Sequence, residues 1–135
     1  MADKYFTDTG AWFALFYRRD SHHPDAVRIW HRTERERIRI ITTNHVLDEL
    51  ATLLARRTSY NFSGNRLREI YDSDIRIERP MESDELDALD FFLKYADQKI
   101  SFTDCLSFVV MRKLGLRKAF TFDRHFEYAG FEIIS

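Results

Sequence analysis

The sequence predicts an α/β protein built on a mostly parallel sheet. Short apolar segments rich in β-branched residues alternate with helical segments along the chain, and strands that alternate with helices form parallel sheets. Both prolines fall at expected element boundaries, and no repeat, low-complexity segment or linker interrupts the pattern. With 135 residues, of which 44% are hydrophobic and 15% aromatic, the chain can bury a substantial core. We therefore expect one domain over residues 1–135.

The predicted strands are short and rich in β-branched or aromatic residues. The first covers residues 4–8, KYFTD, and the second lies around residues 38–42, where RIRIITT alternates in polarity. Further strands are expected in DIRIERP, which Pro80 ends, in KAFTF, and in the final FEIIS.

The helices are predicted from apolar residues that recur at helical spacing. TGAWFALFYRRD suits a buried helix, and SHHPDAVRIWHRTERER follows it with Pro24 in a first helical turn. NHVLDELATLLARRT carries a strong apolar stripe, and a weaker helix is expected near residues 65–72. The stripe of the next helix, ESDELDALDFFLKYAD, consists of Leu86, Leu89, Phe92 and Leu93. SFTDCLSFVVMRKLG should end at a left-handed cap on Gly115, and DRHFEYA should form a turn or short helix.

Composition argues against several classes of protein. No apolar run approaches the ~18 residues needed to span a membrane, and MADKYFTDTG shows no signal peptide, so a cytoplasmic protein is expected. The single cysteine, Cys105, excludes an internal disulfide and is expected to be buried. None of the four glycines belongs to a nucleotide-binding glycine motif, and the five histidines form no zinc motif.

Charge gives a divided signal about nucleic acids. The net charge of −1 does not by itself indicate a nucleic-acid binder. Arginine is nevertheless concentrated in HRTERERIR and ARRTSYNFSGNRLR. Such runs are typical of a solvated helix face, and they also suit a rim that contacts phosphates.

Four acidic residues stand beside segments that should be buried. Asp8 and Asp123 lie at the carboxyl ends of the first strand and of KAFTF, where parallel sheets bind their ligands. Asp104 lies in the first turn of the helix that leads into KAFTF, and Glu49 borders the apolar stripe of its helix. Each acid has a simpler alternative, which is a helix cap for Asp8 and Asp104 and a turn for Asp123. Glu49 could pair with an arginine such as Arg56.

Taken together, the four acids favour a cation site. Carboxylates that converge without a cation repel one another and raise their own pKa values. A hard divalent ion with oxygen ligands removes that penalty. Such a site suits phosphodiester hydrolysis, since Mg²⁺ or Mn²⁺ lowers the pKa of a bound water and stabilises the leaving 3′ oxygen. This chemistry needs no general-base histidine.

The chain resembles the PIN domains, and more narrowly the VapC-type toxins of prokaryotic toxin–antitoxin pairs. The resemblance covers nearly the whole chain and rests on FTDTGAWFALF, TTNHVLDELATLL and YADQKISFTDCLSFVVMRKLGLRKAFTFDRHFEYAGF. It implies a PIN-like three-layer α/β/α sandwich with about five strands, a usual sheet size. It also implies an RNA substrate, dependence on Mg²⁺ or Mn²⁺, homodimers, and inhibition by a small cognate antitoxin protein.

The resemblance also assigns the site. The catalytic and metal-binding residues that it implies are Asp8, Glu49, Asp104 and Asp123. In this assignment the three aspartates hold the metal, and the glutamate completes the pocket or positions the attacking water. Asp97 could serve as a peripheral ligand, and Thr121 could orient Asp123 or a metal-bound water.

Two other functions stay open on the sequence alone. A non-catalytic RNA- or protein-binding module could keep the same pocket, and metal-dependent RNA cleavage would separate it from an enzyme. A receiver-like phosphoacceptor domain also gathers acids at strand ends, but it needs paired acids after its first strand. YFTDTG offers one acid, which counts against that interpretation.

Surface contacts are the least constrained part of the prediction. The candidates for phosphate contacts are Arg18, Arg56, Arg57 and Arg66. The aromatic segments TGAWFALFYRRD and SHHPDAVRIW carry more large apolar residues than one helix face needs. We therefore expect a homodimer that uses part of this aromatic surface.

Overall fold

The computed structural model describes residues 3–135, which form a five-stranded sheet and seven α-helices. The strands are β1 (Lys4–Thr7), β2 (Arg39–Thr43), β3 (Arg76–Glu78), β4 (Lys118–Phe120) and β5 (Glu132–Ile133). The helices are α1 (Thr9–Phe16), α2 (His23–Arg35), α3 (Asn44–Arg57), α4 (Tyr60–Asp72), α5 (Glu82–Lys94), α6 (Phe102–Lys113) and α7 (His125–Tyr128). A short 3₁₀ helix covers Ala96–Gln98.

The sheet brings the ends of two distant strands together. Its order is β3-β2-β1-β4-β5, and all neighbouring strands are parallel. Strands β2 and β3 therefore extend the sheet on one side of β1, and β4 and β5 extend it on the other side. Thr7 pairs with Phe120, so the residues that follow β1 and β4 emerge side by side. The α/β prediction with a parallel sheet is confirmed, and the switch between β1 and β4 is where such folds bind ligands.

Helix α1 is fixed firmly to the sheet beneath this switch point. Trp12 is buried, and its Nε1 donates a hydrogen bond of 3.3 Å to Thr42 Oγ1. The Thr42 hydroxyl in turn donates to the carbonyl of Thr7 at 2.9 Å. These two bonds link α1, β2 and β1 inside the core, where satisfied polar groups hold neighbouring elements in one arrangement.

Most local predictions hold. Pro24 lies in the first turn of α2, and Gly115 adopts a left-handed conformation with φ of 69° just after α6. Cys105 is fully buried, as expected. Helix α4 was placed too late, because it begins at Tyr60 rather than near residue 65. The Ser59 hydroxyl accepts a hydrogen bond of 3.0 Å from the Phe62 N–H, and this cap starts the helix ahead of its clearest apolar residues.

The apolar stripe predicted for α5 faces outward. Its four large residues, Leu86, Leu89, Phe92 and Leu93, are all exposed, whereas Asp84 and Ala88 are buried. Asp84 is held by the Lys113 ammonium at 3.1 Å and accepts the Met81 N–H at 2.9 Å. Helix α5 therefore packs on α6 through Asp84, Ala88 and the half-buried ring of Phe91, which contacts Phe108, and it leaves the predicted stripe on the surface.

The surface predicted for a dimer contact is different in the structure. Trp12 and Phe13 of α1 are buried in the core of the chain itself, and Phe16 and Trp30 are half-buried against it. Trp12 packs between Phe16 and Trp30, with ring centroids 5.8 and 5.5 Å away. The expectation of an exposed aromatic surface on α1 and α2 was therefore wrong, because these rings fill the space between the two helices.

The described residues contain no helix that combines the length and the apolar character needed to cross a bilayer.

Candidate active site

Asp8 is the acid at the end of β1, and it has two structural partners. Its Oδ1 accepts the Ala11 N–H at 2.9 Å, so it caps helix α1. Its Oδ2 accepts the Thr121 hydroxyl at 2.6 Å across the switch point. Asp8 is 4% exposed, and its carboxylate is therefore fixed in position before any ligand arrives.

Thr121 connects the ends of β1 and β4. While its hydroxyl donates to Asp8, the same oxygen accepts the Asp123 N–H at 3.0 Å. The expectation that Thr121 orients site residues finds support here, with Asp8 as the side chain it contacts and the main chain of Asp123 as its second partner. A buried hydroxyl with both bonds satisfied is well suited to hold two acids at a fixed spacing.

Asp123 and Asp104 lie on the other side of the site. Asp123 Oδ1 accepts the His125 N–H at 2.9 Å and lies 3.0 Å from His125 Nδ1. Asp104 sits in the first turn of α6, where Ser101 caps the helix by accepting the Asp104 N–H at 3.1 Å. The capping role therefore belongs to Ser101, and the Asp104 carboxylate is available for other contacts.

Glu49 comes from α3, and it is exposed rather than buried beside the apolar stripe. It lines the same cleft as the three aspartates, which has a volume of about 530 Å³. The residues that line this cleft are Asp8, Thr9, Gly10, Phe13, Asp20, His22, Glu49, Leu53, Asp104, Phe122, Asp123 and Arg124. The four acids selected from the sequence thus meet in one cleft. Asp97 lies exposed in the 3₁₀ helix and is not among its lining residues.

Burial and mutual repulsion both act on these carboxyl groups. Burial raises the pKa of Asp8 from 3.8 to about 6, while the bonds from Thr121 and Ala11 act in the opposite direction. Burial and, after it, the negative charges of Asp8 and Asp123 together raise the pKa of Asp104 from 3.8 to about 8. A cluster that resists full ionisation is one that a cation would stabilise.

The donor atoms fit a divalent metal ion. Asp104, Asp123 and His125 each offer a ligand atom, and these atoms lie within 4.8 Å of one another. Thr9 lines the cleft beside Asp8, and its buried hydroxyl has no hydrogen-bond partner among residues 3–135. Carboxylate oxygens at this density, with an unsatisfied hydroxyl at their edge, match the oxygen-rich coordination of Mg²⁺ or Mn²⁺.

Several residues of the cleft were not predicted from the sequence. His125 was not predicted, since a histidine two residues after an acid at a turn has no metal-site spacing to reveal it. His22, Phe122 and Arg124 were also missed, because they come from loops whose positions depend on the packing of α2 and β4. Only the proximity of Phe122 and Arg124 to Asp123 could have drawn attention to them.

A family model described as PIN domain matches residues 5–132 of the chain. The chain belongs to the PIN domain family. Nucleases of this family depend on divalent metal ions, which agrees with the acidic cluster in the cleft.

Relatives of this PIN domain place it near the VapC nucleases. The chain is 34% identical to the 23S rRNA-specific endonuclease VapC20 of Mycobacterium tuberculosis over 126 residues, which covers 93% of this chain and 94% of the relative. It is also 34% identical to the VapC ribonuclease of Archaeoglobus fulgidus, over 88% of this chain and 76% of the relative.

Solved structures agree with this placement. The crystal structure of M. tuberculosis VapC20, described as a sarcin–ricin loop cleaving toxin, superposes with a TM-score of 0.86 at 33% identity, over 93% of this chain and 95% of that chain. A VapBC2 structure from Rickettsia felis, bound to a promoter DNA fragment, gives 0.66 at 13% identity, with 97% of both chains covered, and shows the fold alone. The expected family, the PIN-like fold and the VapC-type ribonuclease class are confirmed.

Proposed function

We propose that this PIN domain is an endoribonuclease that uses Mg²⁺ or Mn²⁺ at the cleft formed by Asp8, Glu49, Asp104 and Asp123. The convergence of four carboxyl groups in one cleft carries the proposal. The raised pKa values of Asp8 and Asp104 support it, because the protein holds these acids together at a cost that a cation offsets. A non-catalytic binding module would need no such cluster.

Each acid has a distinct task in this proposal. Asp104 and Asp123 would hold the metal with help from His125, and Asp8 would close the site from the β1 side. The bound metal would lower the pKa of a water and offset the negative charge of the phosphodiester. Glu49, exposed on α3, would position the attacking water or accept its proton.

The substrate class proposed is structured RNA with an accessible loop, and the sarcin–ricin loop of 23S rRNA is the first candidate. Two observations support it: the identity of 34% to an enzyme named for 23S rRNA, and a cleft that is open to solvent rather than enclosed. Loops present unpaired bases that a shallow site can reach. A cytoplasmic location would follow from this substrate.

A separate groove, larger than the acidic cleft, suggests a path for RNA. This groove of about 700 Å³ is lined by Arg18, Arg19, Arg57 and Arg66, with aromatic side chains between them. It contains no acidic lining residue and so does not suit metal chemistry, but its charge is complementary to phosphate. Arg57 lies on the same helix as Glu49, about 12 Å farther along its axis.

The four arginines predicted to contact phosphates differ in their position relative to the groove and in their salt-bridge partners. Arg56 does not line the groove, and Arg66 is engaged by Glu69 at 2.7 Å and stacks on the Phe62 ring at 5.0 Å. Within residues 3–135, Arg18 and Arg57 form no salt bridge. We therefore rank Arg18 and Arg57 first among the phosphate contacts.

The products of cleavage test the proposed reaction. We expect an end-labelled sarcin–ricin loop hairpin to be cut in Mg²⁺ or Mn²⁺, to stay intact in EDTA, and to be cut again when metal is restored. Hydrolysis by an activated water leaves 5′-phosphate and 3′-hydroxyl ends. Ends that carry a 2′,3′-cyclic phosphate would mean attack by the RNA 2′-hydroxyl, and cleavage in EDTA would mean that no metal is needed. Either result would overturn the proposed chemistry.

We also propose that a small antitoxin protein inhibits the enzyme and that the chain forms a homodimer. The toxin description of the VapC20 structure supports the first point. The second now rests on α5, where Leu86, Leu89 and Leu93 recur at helical spacing and are 55%, 43% and 72% exposed. An exposed row of leucines on one helix is typical of a contact between copies of a chain.

Replacing Leu93 with Glu tests this dimer. By symmetry the change removes two buried leucines and adds two charges, so we expect the dimer to weaken at least ~100-fold. Sedimentation velocity of wild type, Leu93→Glu and the control Tyr60→Glu would measure it, since Tyr60 is 86% exposed on α4. A wild-type chain that is monomeric at high micromolar concentration, or a dimer unaffected by Leu93→Glu, would exclude the α5 contact.

A further inference from the structure

Two aromatic rings lie face to face at the edge of the acidic cleft. The centroids of His22 and Phe122 are 4.3 Å apart, and their planes differ by 8°. Both residues line the cleft together with Asp104 and Asp123. They come from segments far apart in the chain, since His22 precedes α2 and Phe122 follows β4.

The pair is held in place from both sides. The His22 N–H donates to Asp20 Oδ1 at 2.8 Å, which fixes the main chain at the start of α2. Phe122 packs against the core and lies between Thr121 and Asp123, whose hydrogen bond of 3.0 Å closes the turn around it. These bonds hold the main chain of His22 and the turn that carries Phe122 beside the carboxylates of the cleft.

The His22 side of the pair is the exposed one. Phe122 is half-buried and covers one face of the His22 ring, while His22 as a whole is exposed to solvent. None of the hydrogen bonds found within residues 3–135 involves a ring nitrogen of His22, whereas Nδ1 of the next residue, His23, contacts the Ala14 carbonyl at 2.7 Å. The His22 ring thus lies at the cleft without a structural bond that explains its position.

We propose that His22, supported by Phe122, is a stacking platform for a nucleobase beside the scissile phosphate. The inference rests on the proposed function and names a substrate contact within it. Unpaired RNA bases are recognised by stacking on aromatic or histidine rings, which tolerates any base. Phe122 precedes Asp123 directly, so a base stacked on the pair would place its own phosphate next to the metal-binding acids.

Variants at His22 separate stacking from the other roles this residue could have. His22→Ala removes the platform, whereas His22→Phe keeps a flat ring without titratable nitrogens. Stacking on a base contributes to binding in both the ground state and the transition state, so KM should rise while kcat stays near that of wild type. We expect His22→Ala to raise KM roughly 5- to 100-fold and His22→Phe to restore it to within about threefold.

The matched control is His31→Ala. His31 is exposed on α2 and lines another depression, outside the acidic cleft. Its variant should cleave like wild type. Failure of His22→Phe to rescue would indicate that the imidazole itself is needed, as for proton transfer, and would overturn the stacking role. A loss of kcat and of Mn²⁺ affinity in His22→Ala would mean that His22 supports the structure of the cleft. That result would also overturn the stacking role.

A modified RNA gives a second, independent readout. The hairpin is made with an abasic site on one side or the other of the scissile phosphate. With the abasic RNA that lacks the stacked base, wild type and His22→Ala should have the same KM, because there is no base left to contact the platform. If His22→Ala still raises KM to the same extent with both abasic RNAs, the base contact does not exist.

Binding without cleavage keeps this test separate from the proposed function. Anisotropy of a fluorescent 12-nucleotide single strand in Mn²⁺ is measured on the Glu49→Gln background, with and without His22→Ala. Weaker binding in the double variant supports the platform even if the wild type proves to cut no RNA. Equal binding of the two proteins overturns the platform even if the wild type is an active nuclease.

Discussion

Asp104→Asn should reduce the rate of RNA cleavage by about 10³-fold or more. In the proposed site the change removes a carboxylate that holds the metal, and the metal stabilises the charge of the transition state by several kcal/mol. Asp8→Asn and Glu49→Gln should also abolish cleavage on the timescale of the wild-type reaction. The Asp104 amide keeps the shape of the side chain, and the cap on α6 comes from Ser101, so the fold should persist. Cleavage of the labelled hairpin in Mn²⁺ and far-ultraviolet circular dichroism measure the two properties.

The chain offers a matched control for each acid. Asp48 precedes Glu49 on α3 and is exposed, but it does not line the cleft. Asp97 is likewise exposed and outside it. Asp48→Asn and Asp97→Asn should therefore cleave like wild type. Full activity of the three site variants would contradict the proposed active site. Loss of activity in the two controls would mean that activity depends on acidic charge near the cleft in general, rather than on the three acids that line it.

Without metal, Asp104→Asn should stabilise the protein at pH 8. The pKa values of Asp8 and Asp104 in the folded chain, about 6 and about 8, lie above the ordinary 3.8. The folded state therefore keeps protons that the unfolded chain has released, and the free energy of unfolding of the metal-free protein falls as pH rises from about 4 to about 8. The neutral amide introduced by Asp104→Asn carries neither the burial cost nor the repulsion of an ionised carboxylate, so we expect the free energy of unfolding at pH 8 to rise by at least ~2 kcal/mol.

Thermal melts in EDTA and in Mn²⁺ measure this effect. A gain of this size corresponds to roughly 5–10 °C in Tm for a chain of this length. The gain should shrink toward pH 4, where the wild-type acid is protonated, and Mn²⁺ should stabilise wild type more than the variant at pH 8. As the control, Asp97→Asn should have the same melting profile as wild type. A variant that melts lower than wild type at pH 8 in EDTA would mean that the Asp104 carboxylate supports the fold.

The acids of the site could be predicted because their positions follow from simple geometry. Asp8 follows β1 directly and Asp123 lies three residues after β4, and parallel strands bring their carboxyl ends to one edge of a sheet. Asp104 could be predicted because a helix that leads into a strand begins near the edge at which the previous strand ended. Which strands are neighbours does not follow from local pattern. The pairing of β1 with β4 joins residues more than a hundred positions apart and was not predicted.

Contacts that depend on packing could not be predicted. The leucines of α5 have the spacing of a buried stripe, but the side of the helix that meets α6 carries Asp84, Ala88 and Phe91 instead. Spacing describes which residues share a face and cannot say which face is covered. His22 and Phe122 became neighbours for the same kind of reason, since the start of α2 packs beside the turn after β4. Neither residue carries a local signal of that contact.

The order of the strands also determines when the enzyme can become active during its own synthesis. Asp8 leaves the ribosome well before the Thr121 hydroxyl that orients it, because 113 positions of sequence separate the two residues. Strand β4 must insert beside β1 before the last carboxylate reaches the cleft. A nascent chain therefore lacks a complete site until β4 has left the ribosome, and termination before β4 leaves a fragment without Thr121 and Asp123. For a nuclease that would act on ribosomal RNA, this order keeps the catalyst incomplete while the earlier part of its own chain is made.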